Sequence, residues 1–390
     1  LFKQTYMKKS LSLLSVLLVF LAMGFGDAAK QLVSIVEKAF DVSPFVASFV
    51  SLFGMIMFGV LSIPTGVMQS KIGKKKMLSI GLIVFLIGAI FPIVSFSFPI
   101  ILVSVMLMGA GATILQVAGN PLMRDVSSEG KYSSNLSFAQ SVKAIGTLST
   151  SLIMVLIGSS LSTKAWFNVN NTDASFRVLF PIFAVILLIT LLLVTFFVPN
   201  KADNTKPTTL KKCFEALKTP YILMMFFAIF FYCGAEASMF NRIPSILTDN
   251  TNMSSSSGNI VLIVALFIGR FLGGIVLRNI TARNFLILTV ALSIVGNMLL
   301  FMEYNIITTW LSFILIGLGF ANIFPLIFSM CIDRFPSLSN EISGLMTTAI
   351  VGAAFVPLLT GLAASIIPQY AFIVTLACLV YIGFVALFNK

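Results

Sequence analysis

Apolar runs of about 20 residues recur along the whole chain and are separated by short polar segments. A helix needs about 20 mainly apolar residues to cross a hydrocarbon layer of about 30 Å. The pattern therefore predicts an all-α integral membrane protein with twelve transmembrane helices. The predicted spans cover residues 11–36, 45–69, 77–97, 100–123, 134–159 and 176–198, then 221–247, 258–277, 284–302, 308–332, 342–366 and 370–388.

One long polar segment, residues 199–219, divides these spans into two sets of six. We predict an N-terminal six-helix half over residues 1–198, a cytoplasmic linker over 199–219 and a C-terminal half over 220–390. The fourth span of each half carries a similar run, Leu-Met-Gly-Ala-Gly from Leu107 and Leu-Ile-Gly-Leu-Gly from Leu315. This indicates an internal repeat, and paired halves with a midplane site are typical of alternating-access carriers. Neither Gly-x-Gly pair follows a strand, so close helix packing explains them better than nucleotide binding.

Composition supports a membrane protein and excludes several kinds of chemistry. The chain has 390 residues, of which 58% are hydrophobic and 10% charged, and its mean hydropathy is +1.05. Soluble domains are about 25% charged. The chain has no His, which excludes Ser-His-Asp and Cys-His catalysis, and its four Cys are scattered without a Cys-x-x-Cys pair. We therefore expect no metal, no cofactor and no enzymatic activity.

The net charge of +12 is distributed unevenly between the two sides of the predicted spans. Segments on the side of the N-terminus carry 18 Lys and Arg residues, and segments on the other side carry four. Positive residues remain on the cytoplasmic side, so both termini are predicted to be cytoplasmic, in the inner membrane, and no nucleic-acid partner is needed to explain the charge. The start resembles a signal peptide, but its apolar run continues past Phe25, and we interpret it as the first span.

The loop after the second span carries a recognisable pattern. It runs Gly66-Val-Met-Gln-Ser70-Lys71-Ile-Gly73-Lys74-Lys75 and resembles the major facilitator signature, Gly-x-x-x-Asp-Arg/Lys-x-Gly-Arg/Lys-Arg/Lys. Glycines permit a tight turn and close helix approach, and lysines keep the loop on the cytoplasmic side. The resemblance implies a structural or gating role for Gly66, Lys71, Gly73 and Lys74. Ser70 stands where the signature has an acid, so a charge lock built on that acid is not expected here.

Within that superfamily the chain resembles the fucose permease group of sugar:proton symporters. The resemblance extends from the first span to the eleventh. The chain departs from it at three positions. Relatives have an Asp near position 30, a Glu at 116 and an Asn at 143, where this chain has Lys30, Gln116 and Lys143. The segments that carry it are Pro64-Thr-Gly66, Gly119-Asn-Pro121, Asn135-Leu-Ser-Phe-Ala-Gln140, Tyr232-Cys-Gly-Ala-Glu236, Gly269-Arg-Phe271 and Phe324-Pro-Leu-Ile-Phe-Ser329. It implies the twelve-helix major facilitator fold, a sugar as solute and the proton as coupling ion.

Ionisable residues inside spans are costly and are functional candidates by default. Asp27 and Lys30 are three residues apart on the first span, where they are either a site or a self-neutralising pair. Lys143 lies deep in the fifth span and is a candidate for substrate binding. Glu236, one turn after Tyr232 in the seventh span, is the strongest candidate proton carrier, with Asp27 second. The alternative for Glu236 is a structural ion pair with Lys30 or Lys143.

Neutral polar residues in the spans suggest how a polar solute would be held. Gln116 and Asn120 are four residues apart, as is typical of one helix face, and Gln140 precedes Lys143 by one turn. The alternative role for such amides is hydrogen bonding between helices. Arg270 lies near the inner end of the eighth span, where we expect a structural or gating role. The full set of predicted substrate-binding residues is Lys30, Gln116, Asn120, Gln140, Lys143, Tyr232, Asn241 and Asn322.

These features predict a monomeric secondary transporter of a small polar solute, a sugar or an anionic sugar derivative, by proton-coupled symport. A drug or metabolite exporter of the same fold and a non-transporting receptor are the alternatives. The polar amide set favours a hydrophilic solute over a drug, and no segment is long enough for the soluble domain that receptors often carry.

Overall fold

The computed structural model describes residues 2–26, 36, 40–160, 171–198, 208–251, 255–300, 306–367 and 370–388. Within these ranges, every regular secondary-structure element is a helix. In chain order the helices are α1 (Phe2–Gly26), α2 (Pro44–Ile72), α3 (Lys74–Val94), α4 (Phe98–Val126), α5 (Tyr132–Ser160), α6 (Asn171–Phe197), α7 (Leu210–Leu217), α8 (Pro220–Thr251), α9 (Ser255–Val276), α10 (Ala282–Leu299), α11 (Ile306–Phe320), α12 (Ile323–Arg334), α13 (Ser339–Thr348), α14 (Gly352–Ile366) and α15 (Tyr370–Phe388).

Ten segments among the described residues are long and apolar enough to cross a membrane, and a shorter apolar helix covers Leu11–Gly26. The tenth predicted span consists of two helices, α11 and α12, separated by a turn at Ala321 and Asn322. The eleventh consists of α13 and α14, joined by a short 3-10 turn over Ala349–Val351. Both were predicted as single spans, because hydropathy alone does not register a local break in an apolar run.

The chain divides into two compact units. The first contains Leu1–Val126 and Val142–Leu210, and the second contains Ser127–Ser141 and Lys211–Lys390. The start of α5 therefore belongs to the second unit, where Ser134 Oγ donates to the carbonyl of Gly274 at 2.5 Å and Ser133 Oγ lies 2.7 Å from Ser329 Oγ. The predicted boundaries did not separate this segment from the first half.

Equivalent spans pack together inside each unit. In the first unit α3 packs on α4, α2 on α4, α3 on α6 and α1 on α6. In the second unit the corresponding pairs are α10 with α11, α9 with α11, α10 with α15 and α8 with α15. The internal repeat seen in the sequence is thus a repeat of helix packing.

The paired glycines of α4 and α11 are points of close helix approach. A Cβ on Gly111 would lie 2.7 Å from the Phe85 nitrogen of α3, and one on Gly319 would lie 2.6 Å from the Ser293 nitrogen of α10. Gly109 lies against the backbone of α2, and a Cβ there would be 2.9 Å from the Gly54 Cα. Since lipid offers no hydrophobic drive for helix association, such small-residue contacts provide the packing.

We expect Gly111→Ala to lower the thermal stability of the protein by about 1–3 kcal/mol, because the new methyl group meets backbone atoms that cannot move aside. The measurement is thermal unfolding in detergent, followed with a thiol-reactive dye, since all four cysteines are buried in the folded protein. Gly361→Ala is the matched control, because a Cβ there meets nothing within 4 Å. Equal unfolding temperatures for the two variants would contradict the packing role.

Candidate functional site

The signature loop between α2 and α3 is built around a glycine turn. Gly73 has a φ of 87°, a region that favours glycine, and its N–H donates to the Gln69 carbonyl at 2.8 Å. Lys74 Nζ lies 2.7 Å from Asp125 Oδ2, so an ion pair connects the start of α3 to the end of α4. Lys71 is exposed and Gly66 is buried. The glycine turn agrees with the sequence interpretation, and the acid that pairs with Lys74 lies outside the signature.

Ser70, which replaces the signature acid, makes two hydrogen bonds. Its Oγ donates to the Val67 carbonyl at 2.8 Å and accepts the N–H of Thr208 at 2.9 Å. Thr208 is 1% exposed and lies two residues before the start of α7. The loop is therefore fastened to the central linker by a neutral hydrogen bond.

A first polar cluster lies in the first unit and comprises Lys143, Gln116 and Asn120. Lys143 Nζ donates to Gln116 Oε1 at 3.4 Å. Gln116 and Asn120 are 3% and 0% exposed, one turn apart on α4. Helix α4 is continuous through Pro121. The cluster offers amide and ammonium groups of the kind that bind hydroxyls.

Lys143 is positioned by a close crossing of α1 and α5. A Cβ on Gly24 would lie 2.9 Å from the Gly146 Cα, and one on Gly146 would lie 3.1 Å from the Gly24 Cα. Thr147 Oγ1 donates to the Gly24 carbonyl at 3.3 Å across this crossing. Because the two backbones are in contact one turn from Lys143, the base of its side chain has little freedom.

A second polar cluster lies in the second unit around Glu236 of α8. Glu236 Oε1 accepts a hydrogen bond from the Tyr232 hydroxyl at 3.0 Å and lies 3.7 Å from Arg270 Nη2 of α9. The side chains of Arg270 and Glu236 are 15% and 22% exposed. Tyr232 is 1% exposed, and its ring and that of Phe320 are nearly perpendicular, with their centroids 5.9 Å apart. Glu236 is thus held by one neutral donor and one cation.

Arg270 also satisfies a backbone group at the break in the tenth span. Its Nε donates to the Ala321 carbonyl at 3.2 Å. In a continuous helix that carbonyl would accept the N–H four residues on, but that residue is Pro325, which has no N–H. Arg270 therefore connects the carboxylate of Glu236 with a carbonyl that a proline leaves without its usual donor.

Asn322, at the same break, is 1% exposed. Its Nδ2 donates to the Gly269 carbonyl at 2.7 Å, and the amide group lies so close to Gly273 that a Cβ there would be 2.5 Å from Nδ2. Its Oδ1 has no hydrogen-bond partner among the described residues. The Nδ2 group of Asn322 thus links two helices, and its Oδ1 remains able to accept a hydrogen bond.

The other predicted site residues fall in different places. Asp27 and Lys30 lie outside the described residues. Gln140 is 3% exposed, precedes Lys143 by one turn on α5, and its Nε2 finds no partner within the described part of the chain. Asn241 is exposed near the end of α8. Tyr232, predicted to bind substrate, is buried and bonded to Glu236, so its ring is not open to a solute in this conformation.

Two features of the site escaped sequence reasoning. Sequence reasoning offered Lys30 or Lys143 as the alternative, structural partner of Glu236 and did not consider Arg270, which the structure places beside it. Residue spacing within one helix cannot show which cation another helix brings into contact. The Ala321 carbonyl was also missed, although Pro325 signals a carbonyl without its donor four residues earlier.

We expect Glu236→Gln and Arg270→Gln each to lower thermal stability by about 1–3 kcal/mol, because each leaves a partly buried charge without its partner. The double variant should lose less than the sum of the two single losses, since neither charge is then left behind. The measurement is a double-mutant cycle of unfolding temperatures in detergent. Strictly additive losses would show that the two residues do not interact.

Known proteins resemble this chain over most of its length. A glucose/galactose transporter of Brucella abortus is 30% identical over 343 residues, which cover 85% of this chain and 82% of that protein. A putative glucose/galactose transporter of Helicobacter pylori is 28% identical over 403 residues, covering 97% of this chain and 96% of that protein.

Solved structures show the same fold. FucP, a transporter of the Major Facilitator Superfamily crystallised in its outward conformation, superposes with a TM-score of 0.83 at 18% identity, covering 98% of this chain and 99% of that one. A second FucP structure, described as the E. coli fucose:proton symporter, gives a TM-score of 0.80 at 17% identity and covers 97% and 98% of the two chains. The fold class predicted from the sequence is thereby confirmed.

The model of the Major Facilitator Superfamily matches residues 13–356, from the first predicted span to the eleventh. This match extends over both units and includes the signature loop and both polar clusters. The chain belongs to the Major Facilitator Superfamily.

Proposed function

We propose that the protein takes up a sugar by proton-coupled symport, through alternating access, across the inner membrane. The observation that carries the proposal is the arrangement of Glu236, an acid in a membrane helix. Its carboxylate accepts a hydrogen bond from the Tyr232 hydroxyl and lies beside the Arg270 cation. The names of the relatives support a sugar as solute, since two are glucose/galactose transporters. FucP, described as a fucose:proton symporter, supports the proton as coupling ion.

Glu236 keeps a hydrogen-bond partner whether or not it is protonated, while protonation deprives Arg270 of the carboxylate. As a carboxylate it is compensated by Arg270 and bonded by the Tyr232 hydroxyl. As a neutral acid it keeps the Tyr232 bond, and Arg270 keeps its bond to the Ala321 carbonyl. Each protonation state therefore has partners, as a carrier requires if it must cross the membrane in both loaded and empty forms.

The first polar cluster supplies the groups that recognise the solute. Hexose hydroxyls both donate and accept hydrogen bonds, and the Gln116 and Asn120 amides can do both. Lys143 donates only. In the second unit, taken by itself, Asn322 Oδ1 is an acceptor and Gln140 Nε2 a donor that have no partner among the described residues. Because one chain holds all these groups, we expect a monomer to transport.

An anionic sugar derivative is the second candidate solute. It is favoured by Lys143, an ammonium group within a membrane helix that donates to the Gln116 oxygen at 3.4 Å and could form a charge-assisted hydrogen bond to a substrate carboxylate. The relatives' names favour neutral glucose and galactose. A drug exporter is less well supported, since these amides suit a hydrophilic solute. A receptor is less well supported, since the names of the relatives are those of transporters.

We expect Glu236→Gln to abolish concentrative galactose uptake driven by a pH gradient, because the glutamine cannot carry a proton. Exchange of labelled for unlabelled galactose should persist, since it moves no net charge or proton. Both are measured in proteoliposomes. Glu215→Gln is the matched control, because Glu215 is an exposed acid on α7 that forms a long ion pair of 3.9 Å with Lys211.

Unchanged accumulation in Glu236→Gln would remove this residue from the coupling role, and Asp27→Asn would be measured next. Loss of exchange as well would assign Glu236 to substrate binding or folding. A normal unfolding profile separates these two outcomes.

We expect Lys143→Gln to weaken binding of an anionic sugar by about 1.5–3 kcal/mol, the worth of a hydrogen bond to a charged group. Binding of the neutral parent sugar should weaken less. Calorimetry on wild type and variant with glucuronate and glucose measures both losses. Equal losses, or tighter binding of glucose by the wild type, would reject the anionic solute and leave the neutral sugar.

The proposed orientation has both termini in the cytoplasm. Glu129 and Ser95 are exposed residues in the loops that follow α4 and α3, on opposite sides of the predicted topology. We expect a membrane-impermeant maleimide to label Glu129→Cys only from the cytoplasmic side and Ser95→Cys only from outside. The four native cysteines are buried, so we expect little background labelling from them. The reverse pattern would invert the topology.

A further inference from the structure

Helix α7, in the linker before the seventh span, has three distinct faces. Successive residues are 100° apart around a helix, so residues four apart share a face. Cys213 and Ala216 are buried, at 0% and 6% exposed, whereas Leu210 and Phe214 are 52% and 58% exposed. Glu215 and Lys211, the charged pair, are exposed as well. The exposed apolar face lies between the buried face and the face of Lys211.

The helix is short, and chain geometry keeps it near the membrane. Lys218 and Thr219 form a turn whose N–H groups donate to Glu215 and Ala216 at 3.0 Å. Leu223 N–H then donates to the Thr219 carbonyl at 3.0 Å, so the chain enters the membrane helix α8 without an intervening loop. On α8 the outward side chains begin with Leu223 and Phe227, 40% and 39% exposed. Only the turn at Lys218 and Thr219 and the first residues of α8 therefore separate the apolar surface of α7 from a lipid-facing surface.

Charge favours an anionic surface as the partner. Residues 210–219 contain three lysines and one acid, and all three lysines are exposed. Lysine stems can lie along an apolar surface while their ammonium groups reach anionic headgroups, and the cytoplasmic leaflet attracts basic segments next to the membrane. The three lysines are Lys211, Lys212 and Lys218.

A bilayer fits this face better than a protein does. Stable protein interfaces bury about 800 Å² per partner and 20–30 residues a side, far more than two exposed apolar side chains of an eight-residue helix provide. A membrane surface imposes no such minimum, because α7 is already tethered to the membrane helix α8. An amphipathic helix with lysines beside its apolar face is typical of interfacial helices.

We propose that α7 lies on the anionic surface of the cytoplasmic leaflet, with Leu210 and Phe214 at the acyl boundary and Lys211 and Lys218 on lipid phosphates; Lys212 is on the opposite side of the helix. This inference goes beyond the transport function and concerns how the linker between the two sets of spans is attached to the bilayer.

The test uses spin labels on the full-length protein in nanodiscs of phosphatidylcholine with or without phosphatidylglycerol. In the presence of phosphatidylglycerol, a label at Phe214→Cys should be accessible to oxygen and several-fold less accessible to a water-soluble nickel complex than a label at Glu215→Cys. Omitting phosphatidylglycerol, or combining Phe214→Cys with Lys211→Gln and Lys218→Gln, should raise nickel accessibility at position 214. The Glu215→Cys label should change little in either case.

Equal nickel accessibility at positions 214 and 215 in the anionic nanodiscs would overturn the proposal. So would protection of position 214 from both reagents whatever the lipid, which would indicate a protein partner or a second copy. Insensitivity to phosphatidylglycerol and to loss of the lysines would overturn the role of charge. Unfolding temperatures of each labelled variant establish that a change in accessibility is not a loss of fold.

Discussion

Close contact between helix backbones at glycines sets the geometry on which each unit depends. Gly24 and Gly146 bring α1 against α5, and a Cβ on Gly352 of α14 would lie 2.7 Å from the carbonyl carbon of Phe230 on α8. Lys143 lies within one turn of the first contact, and Glu236 lies within two turns of Phe230. Rigid crossings next to the functional residues fix where those side chains begin. Longer side chains at the crossings would separate the helices and move both clusters.

Inside a membrane each polar group needs a partner from the protein, and this rule explains why Arg270 stands at the centre of the second cluster. It compensates the Glu236 carboxylate and also supplies a donor to the Ala321 carbonyl, which Pro325 leaves without one. Glu236, the proposed proton carrier, and the break in the tenth span therefore share one guanidinium group. A change in the charge of Glu236 acts on that break through Arg270 alone, so protonation and a local change in helix geometry can be coupled.

Hydropathy and the internal repeat were sufficient to predict the helical membrane fold, because span length and glycine spacing are properties of a single segment. The roles of Gln116 and Asn120 as buried amides on one face of α4 could also be predicted from spacing. The pairing of Glu236 with Arg270 could not, since it depends on how α8 and α9 are placed together. Nor could the division of the tenth and eleventh spans into two helices each, because an apolar run stays apolar across a turn.

The serine of the signature loop has a consequence for how the linker responds to its surroundings. Where the superfamily signature has an acid, Ser70 accepts the Thr208 N–H through an uncharged hydroxyl. A contact of this kind is not screened by ions and does not titrate between acid and alkaline pH. The attachment of the linker to the loop is thus indifferent to ionic strength and to pH. In this chain that contact stays constant while the surroundings change.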